Sequence, residues 1–420
     1  MLRDHSLLRN SGFLLGTTVA TSGLGYLYWG LAAHTYDPRA VGIASAFISL
    51  FGLTSFLGAM GVSSINVQML PKLRHSRTQW NSFFTASLLV PTVLTAALAA
   101  VGGVVLSMTN ERFATLREGP VLAAFVFGAA ATTNALAFDA AFVSLRRSDQ
   151  HLVRNSTFAV AKIPLLVAPL IFRVHPGVLG ILLSWDVALA LSLLLAMVFL
   201  LRRSRPAFRW RVHTGLRQFL AQGRALLGYQ LETLGGMLPA YVIPPLIVAV
   251  LGPSEAAVFY YTWSIGAFFF AVSSSVAQAL FAEGANAAAL RVQATHALAV
   301  CAALLGPVIV VVLVFAHQIL EVFGTFYADR GAGTLRLCIV ASVPDAITNV
   351  WVALLLVRRR LREAALLNWM MAVATMIATV VLLPMMGLEG VGWAWILGQS
   401  LGAVAALMPL WRLLTSGGMS

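Results

Sequence analysis

The chain has 420 residues, of which 59% are hydrophobic and only 10% charged, and its mean hydropathy is +0.86. Soluble domains carry nearer ~25% charged residues, so the composition excludes an ordinary soluble domain and indicates a membrane protein. The 28 basic residues outnumber the 15 acidic ones, but they fall in short clusters between apolar runs, the pattern of Arg-rich loops facing anionic lipid rather than of a nucleic-acid surface.

In chain order, runs long enough to cross a ~30 Å core as helices lie at about 11–33, 41–68, 83–107, 120–145, 156–173 and 178–201. A second set lies at about 225–251, 257–282, 295–317, 333–357, 364–384 and 389–412. The opening "MLRDHSLLRN" leads into a run too long for a cleaved leader, so it is expected to stay as the first span. Lys and Arg then set the orientation. Alternate connections hold Lys72, Arg74 and Arg77; Arg146, Arg147 and Arg154; seven arginines between Arg202 and Arg224; and the cluster from Arg358 to Arg362. The intervening connections hold only Arg39, Arg112, Arg117, Arg173, Arg330 and Arg336. This asymmetry predicts a polytopic all-α bundle of about 12 spans with both termini cytoplasmic. Cys301 and Cys338 fall in apolar runs and read as small buried hydrophobes.

The longest basic segment, "LRRSRPAFRWRVHTGLRQ" (201–218), divides the spans six and six. It predicts an N-terminal lobe over 1–201, a cytoplasmic linker over 202–223 and a C-terminal lobe over 224–420. "GLAAHTYDPRAVGIASAFIS" (30–49) aligns with "PLIVAVLGPSEAAVFYYTWS" (245–264) at an offset of 215 residues, Pro38 on Pro253. Parallel repeats of this kind are related by an axis along the membrane normal and put a substrate site between the halves. Chance likeness between apolar segments is the competing reading.

Catalysis is not expected. The outer connections leave no room for an acceptor-binding domain, the eight histidines sit singly, and no metal spacing, nucleophile triad or phosphate-cradling loop stands out. No metal or other cofactor is therefore expected.

Three stretches carry a resemblance. "FYYTWSIGAFFFAVSSSVAQALFAEGANAAALR" (259–291) is similar to the segment after the mid-chain break in bacterial oligosaccharide flippases, the polysaccharide-transport branch of the multidrug/oligosaccharidyl-lipid/polysaccharide exporter superfamily. "LRNSGFLLGTTVATSGLGYLYWGLAAHTYDPRAVGIASAF" (8–47) resembles that family's first helix pair, and "FDAAFVSLRRSDQHLVRN…AKIPLL" (138–166) its fourth and fifth helices. The resemblance implies two six-helix lobes around a central cavity, alternating access and a lipid-linked saccharide moved across the plasma membrane. It implies H+ or Na+ as coupling ion and glycan-synthesis proteins as partners. Relatives that bind pyrophosphate-linked sugars carry cavity cations; here only Lys162 lies within a span. A drug extruder of the same superfamily and a non-transporting scaffold of a saccharide-synthesis complex are the alternatives. The scaffold has no need of mid-span ionisable residues, and this chain has several.

Asp139 lies seven residues before Arg146, and Lys162 eight residues after Arg154. At ~1.5 Å per residue both sit roughly 10–12 Å from those basic edges on consecutive helices, which predicts an intramembrane Asp139–Lys162 pair. The pair would be structural or a substrate or proton site; alternatively Lys162 snorkels and leaves Asp139 to other donors. "LGGMLPAYVIPPLI" (234–247) holds Gly235, Gly236, Pro239, Pro244 and Pro245, which predicts a kinked seventh span and a candidate hinge. Glu283 in "FAEGAN" falls at the inner end of the eighth span, where it opposes the helix dipole; it is a candidate cytoplasmic latch to a basic loop. Asp345, followed one turn on by Asn349, lies near mid-membrane, and Glu232 and Asp186 are further intramembrane acids with no cation at their own level. Such acids are neutral unless they face water, so these three are the candidate cavity and ion-coupling residues.

Overall fold

A computed structural model describes residues 21–171, 177–206, 208–211, 213–281 and 287–415. Every regular element among them is helical. The first half comprises α1 (21–35), α2 (Pro38–Ala59), α3 (Val62–Lys72), α4 (Arg77–Thr109), α5 (Gly119–Ser144), α6 (Ser148–Ile171) and α7 (Gly177–Leu195). A π-helical turn, Ala196–Leu200, leads from α7 into α8 (Leu201–Ser204), and α9 (His213–Leu220) follows. The second half comprises α10 (Gly223–Val250), α11 (Pro253–Phe281), α12 (Ala287–Glu321), α13 (Thr325–Val357), α14 (Leu361–Met386) and α15 (Leu388–Thr415).

Among the described residues nine helices are long and apolar enough to cross a membrane. With α1, α6 and α10 they match the twelve apolar runs one for one, and the chain is a multi-pass helical membrane protein. Many large apolar side chains point outward, among them Val101, Val105 and Met108 on α4 and Val310, Val311 and Val314 on α12. In water such faces would be sites of association; in hydrocarbon they are the ordinary lipid surface. Lipid is as apolar as leucine, so packing and internal hydrogen bonds, rather than apolar burial, hold such a bundle together.

Local chemistry sets the helix ends. Asp37 caps α2 through a 2.7 Å hydrogen bond from the Arg39 amide, with Pro38 in the first turn. Ser76 caps α4. The second span breaks between α2 and α3, where Met60 (φ 50°) and Gly61 (φ 72°) are left-handed. Glycine takes that conformation without a Cβ clash, which accounts for Gly61.

Contacts divide the chain into two compact units, Met1–Leu231 and Glu232–Ser420, and the seam falls inside α10. Within the first unit α5 is central, touching α2, α3, α4 and α7. An aromatic cluster of Trp80, Phe83, Phe84, Phe138, Phe142 and Phe219 fills one end of it. Within the second unit α13 is central, packed by α11, α12, α14 and α15. Its core includes Val350, Trp351, Leu354, Leu355 and Leu367.

The two halves repeat local geometry as well as order. α5 ends with Arg146 at φ 56°, with hydrogen bonds from Arg146 N to Val143 O and from Arg147 N to Phe142 O. α13 ends with Arg359 at φ 56°, with bonds from Arg359 N to Leu356 O and from Arg360 N to Leu355 O. Both are Schellman closures, each leading directly into the next helix.

Candidate functional site

Asp139 does not meet Lys162; Arg154 is its partner. The guanidinium grips the carboxylate at both ends, Nε to Oδ1 at 2.8 Å and Nη2 to Oδ2 at 2.7 Å. Asn155 Nδ2 adds a 3.2 Å bond, and His151 Nε2 lies 3.7 Å away. The expected pairing fails because Arg154 lies inside α6 rather than at its edge, which puts Lys162 about two turns deeper than Asp139. The chain reverses at Arg146–Arg147, so the α6 residue level with Asp139 is Arg154, seven residues past the turn. The Arg154 side chain is 3% exposed and that of Asp139 21%, because Asp139 also lines a groove of about 450 Å³ with Ser63, Ser64 and Gln68. At the turn itself the Arg147 guanidinium holds the Asp149 carboxyl below the usual carboxylate range.

Lys162 is 4% exposed and takes a different solution. Its ammonium lies 4.5 Å from the ring centroid of Trp185, 4.7 Å from that of Tyr28 and 5.1 Å from that of Phe158. The rings come from α7, α1 and α6, and Phe158 stands one helical turn before Lys162. Tyr28 is held by its hydroxyl, 2.8 Å from Ser184 Oγ. Ring quadrupoles here stand where a carboxylate was expected.

Asp186 follows Trp185 on α7 and is 3% exposed, and among the described residues neither carboxylate oxygen has a hydrogen-bond donor. It packs against α5 at Gly128, where an added Cβ would come within 2.6 Å of Oδ1, so glycine makes the approach possible. The acid opens onto an apolar groove of about 390 Å³ lined by Pro120, Phe127, Leu183 and Leu191 among others. It stands apart from a polar network, unlike Asp345.

In the second unit Asp345 is 7% exposed at mid-α13. Ser273 Oγ on α11 lies 2.5 Å from Asp345 Oδ2, and Asn349 Nδ2 donates to the same oxygen at 2.8 Å and to Ser273 Oγ at 2.9 Å. Ser273 Oγ also lies 2.9 Å from Phe270 O. The i, i+4 spacing of Asp345 and Asn349 was legible in the sequence; Ser273, 72 residues away, was not.

The remaining expectations fare unequally. The kink across Pro239, Pro244 and Pro245 is not seen as a break: α10 stays helical through Gly223–Val250. Each proline deletes a backbone donor, and Gly235, four residues before Pro239, removes the side-chain bulk at that turn. The break lies in the second span instead, and α10 repairs it. Gln230 donates to Phe56 O at 2.5 Å and accepts from Gly61 N at 2.8 Å. The side chain of Glu232 and the whole of Glu283, with its latch, lie outside the described residues. Among the described residues no group of three or more His, Cys, Asp or Glu side chains is placed to hold a metal.

No protein-family model matches the chain, and no curated protein matches it in sequence. Solved structures match its fold over nearly all its length. One is the inward-facing conformation of a multidrug resistance MATE family transporter of the MOP superfamily, at 15% identity and TM-score 0.69, covering 96% of each chain. A second is the lipid II flippase MurJ in an inward closed conformation, at 13% identity and TM-score 0.68, covering 96% of this chain and 89% of that one. A third is a MOP superfamily transporter from Pyrococcus furiosus, at 15% identity and TM-score 0.64, covering 98% of this chain and 96% of that one. The chain therefore has the fold found in these transporters.

Proposed function

We propose that this chain is an alternating-access membrane transporter that moves a lipid-linked saccharide across the plasma membrane, with both termini cytoplasmic and H+ or Na+ as the coupling ion. The observation that carries the proposal is the buried Asp345–Ser273–Asn349 network inside a full-length fold shared with a lipid flippase and with drug transporters. A scaffold has no use for an acid at that depth. Both neighbouring donors converge on Asp345 Oδ2, which leaves Oδ1 for a proton or a small cation. The saccharide assignment rests on the sequence resemblance in both halves. The multidrug reading is favoured by the likeness to the MATE transporter and stays as the second reading.

Vesicles reconstituted with the full chain test this under imposed pH or Na+ gradients, scoring translocation of a fluorescent lipid-linked oligosaccharide and, in parallel, efflux of a cationic dye. The expected result is gradient-dependent saccharide translocation that Asp345→Asn abolishes or uncouples. Dye efflux without saccharide movement would establish the second reading, and movement of neither would leave the scaffold.

A further inference from the structure

At the Arg-rich end of the first unit, Arg77, Asn81, Ser204, Arg205, Pro206 and Phe208 line a cavity of about 380 Å³ with no carboxylate in its wall. Its electrostatics are one-sided. Arg77 is the first residue of α4, whose helix dipole already makes that end positive and whose first turn carries no acid. Arg205 faces the same space and is held in place from behind, its guanidinium 4.8 Å from the Trp80 ring centroid and 3.4 Å from the Arg74 carbonyl. Burial, and then the nearby Arg77 charge, hold the Arg205 guanidinium below its ordinary pKa, the sign of two cations sharing one site. Further donors lie buried behind the wall. Ser204 Oγ gives its proton to Gln150 Oε1 at 2.8 Å, while Gln150 Nε2 is buried without an acceptor among the described residues. Trp80 Nε1 is likewise buried without one, beside Phe208 in the cavity wall at a ring distance of 6.2 Å. Two guanidiniums and a helix N-terminus with no compensating acid in the wall call for an anion with several acceptor oxygens.

We infer that this cavity binds the phosphate of an anionic phospholipid headgroup. A phosphate fits the forked donors of two arginines. The rim points to lipid: Trp210, about half exposed, packs on Phe208 of the cavity wall at 5.6 Å. Half-exposed aromatic rings beside a basic pocket at the end of a spanning helix are what the headgroup level of a bilayer selects. The inference is independent of the transported substrate, because every lining residue belongs to the first unit and none is among the intramembrane acids.

The test uses the full chain in phosphatidylcholine nanodiscs, titrated with phosphatidylglycerol and, separately, with inorganic phosphate, with thermal unfolding and native mass spectrometry as readouts. Phosphatidylglycerol is expected to raise the unfolding temperature and to remain bound. Arg77→Gln is expected to weaken retention about fivefold, and Arg77→Gln with Arg205→Lys to weaken it further. Arg77 is exposed and makes no side-chain hydrogen bond among the described residues, so this variant is expected to fold. Arg112→Gln, in the Arg-poor connection after α4, is expected to change nothing. Equal retention by wild type and Arg77→Gln overturns the site. Protection by inorganic phosphate equal to that by phosphatidylglycerol overturns the lipid assignment.

Discussion

Arg154 and Lys162 stand two turns apart on one helix and show two ways of keeping a charge in an apolar bundle. Arg154 is tied to Asp139 by two charge-assisted bonds, so each ion removes the other's cost. Removing one partner of such a pair costs more than removing both. Arg154→Ala is expected to destabilise the protein by about 3 kcal/mol, while Asp139→Asn with Arg154→Gln loses much less. Unfolding in detergent, run as a double-mutant cycle, checks this; additive losses would mean that the pair is not coupled. That Asp139 would meet a cation was legible from the sequence, although Asp186 and Asp345 show that a lone Asp between apolar residues has other solutions. The identity of that cation was not. Depth along an antiparallel pair is set by where the chain reverses, and the Schellman turn at Arg146 hides that point inside a run of basic residues. The aromatic cage of Lys162 was illegible for another reason. Only Phe158 shares its helix, and the rotation of α1 and α7 that brings in Tyr28 and Trp185 has no one-dimensional trace.

Elements, by contrast, announce themselves, because hydrocarbon requires each crossing segment to satisfy its own backbone and so writes its length into the sequence. Among the described residues, each of the twelve apolar runs is helical. What the pattern concealed was irregularity inside a span. The second run reads as continuous, yet it turns left-handed at Met60 and Gly61, and the amide that answers the break belongs to Gln230. The three prolines of α10 looked the better candidates for a break, but proline in a spanning helix removes a donor without supplying a turn. The closures of α5 and α13 make the repeat testable at this scale. Arg359 is exposed and occupies a left-handed position that glycine takes without strain. Arg359→Gly is expected to stabilise the second unit by about 0.5–1 kcal/mol, and Arg359→Val to destabilise it by about 1 kcal/mol or more, since a β-branched residue tolerates that backbone least. Thermal unfolding of the two variants side by side reads the sign; a stabilising valine would exclude a left-handed turn there.

For the molecule as a whole, the consequential fact is that the seam between the two compact units falls within a helix, between Leu231 and Glu232 of α10, a few residues before Gly235 and Gly236. If the proposed transport cycle bends α10 there, the two glycines separate flexibility from packing. A Cβ on Gly236 would meet nothing within 4 Å, whereas one on Gly235 would press on Trp369 at 3.1 Å from both its backbone nitrogen and its ring. Alanine in a helix is favoured over glycine by roughly 1 kcal/mol, so Gly236→Ala stiffens the segment without a clash. It is expected to raise the unfolding temperature slightly and to slow transport several-fold in vesicles. Gly235→Ala is expected to lower the unfolding temperature, with transport falling only as the folded fraction falls. The contrast is what assigns the hinge, because a helix serving packing alone predicts the reverse ranking, with Gly236→Ala harmless. Wild-type transport rates in a more stable Gly236→Ala protein would remove α10 from the moving parts and leave Gly235, Gly236 and the three prolines a purely structural role.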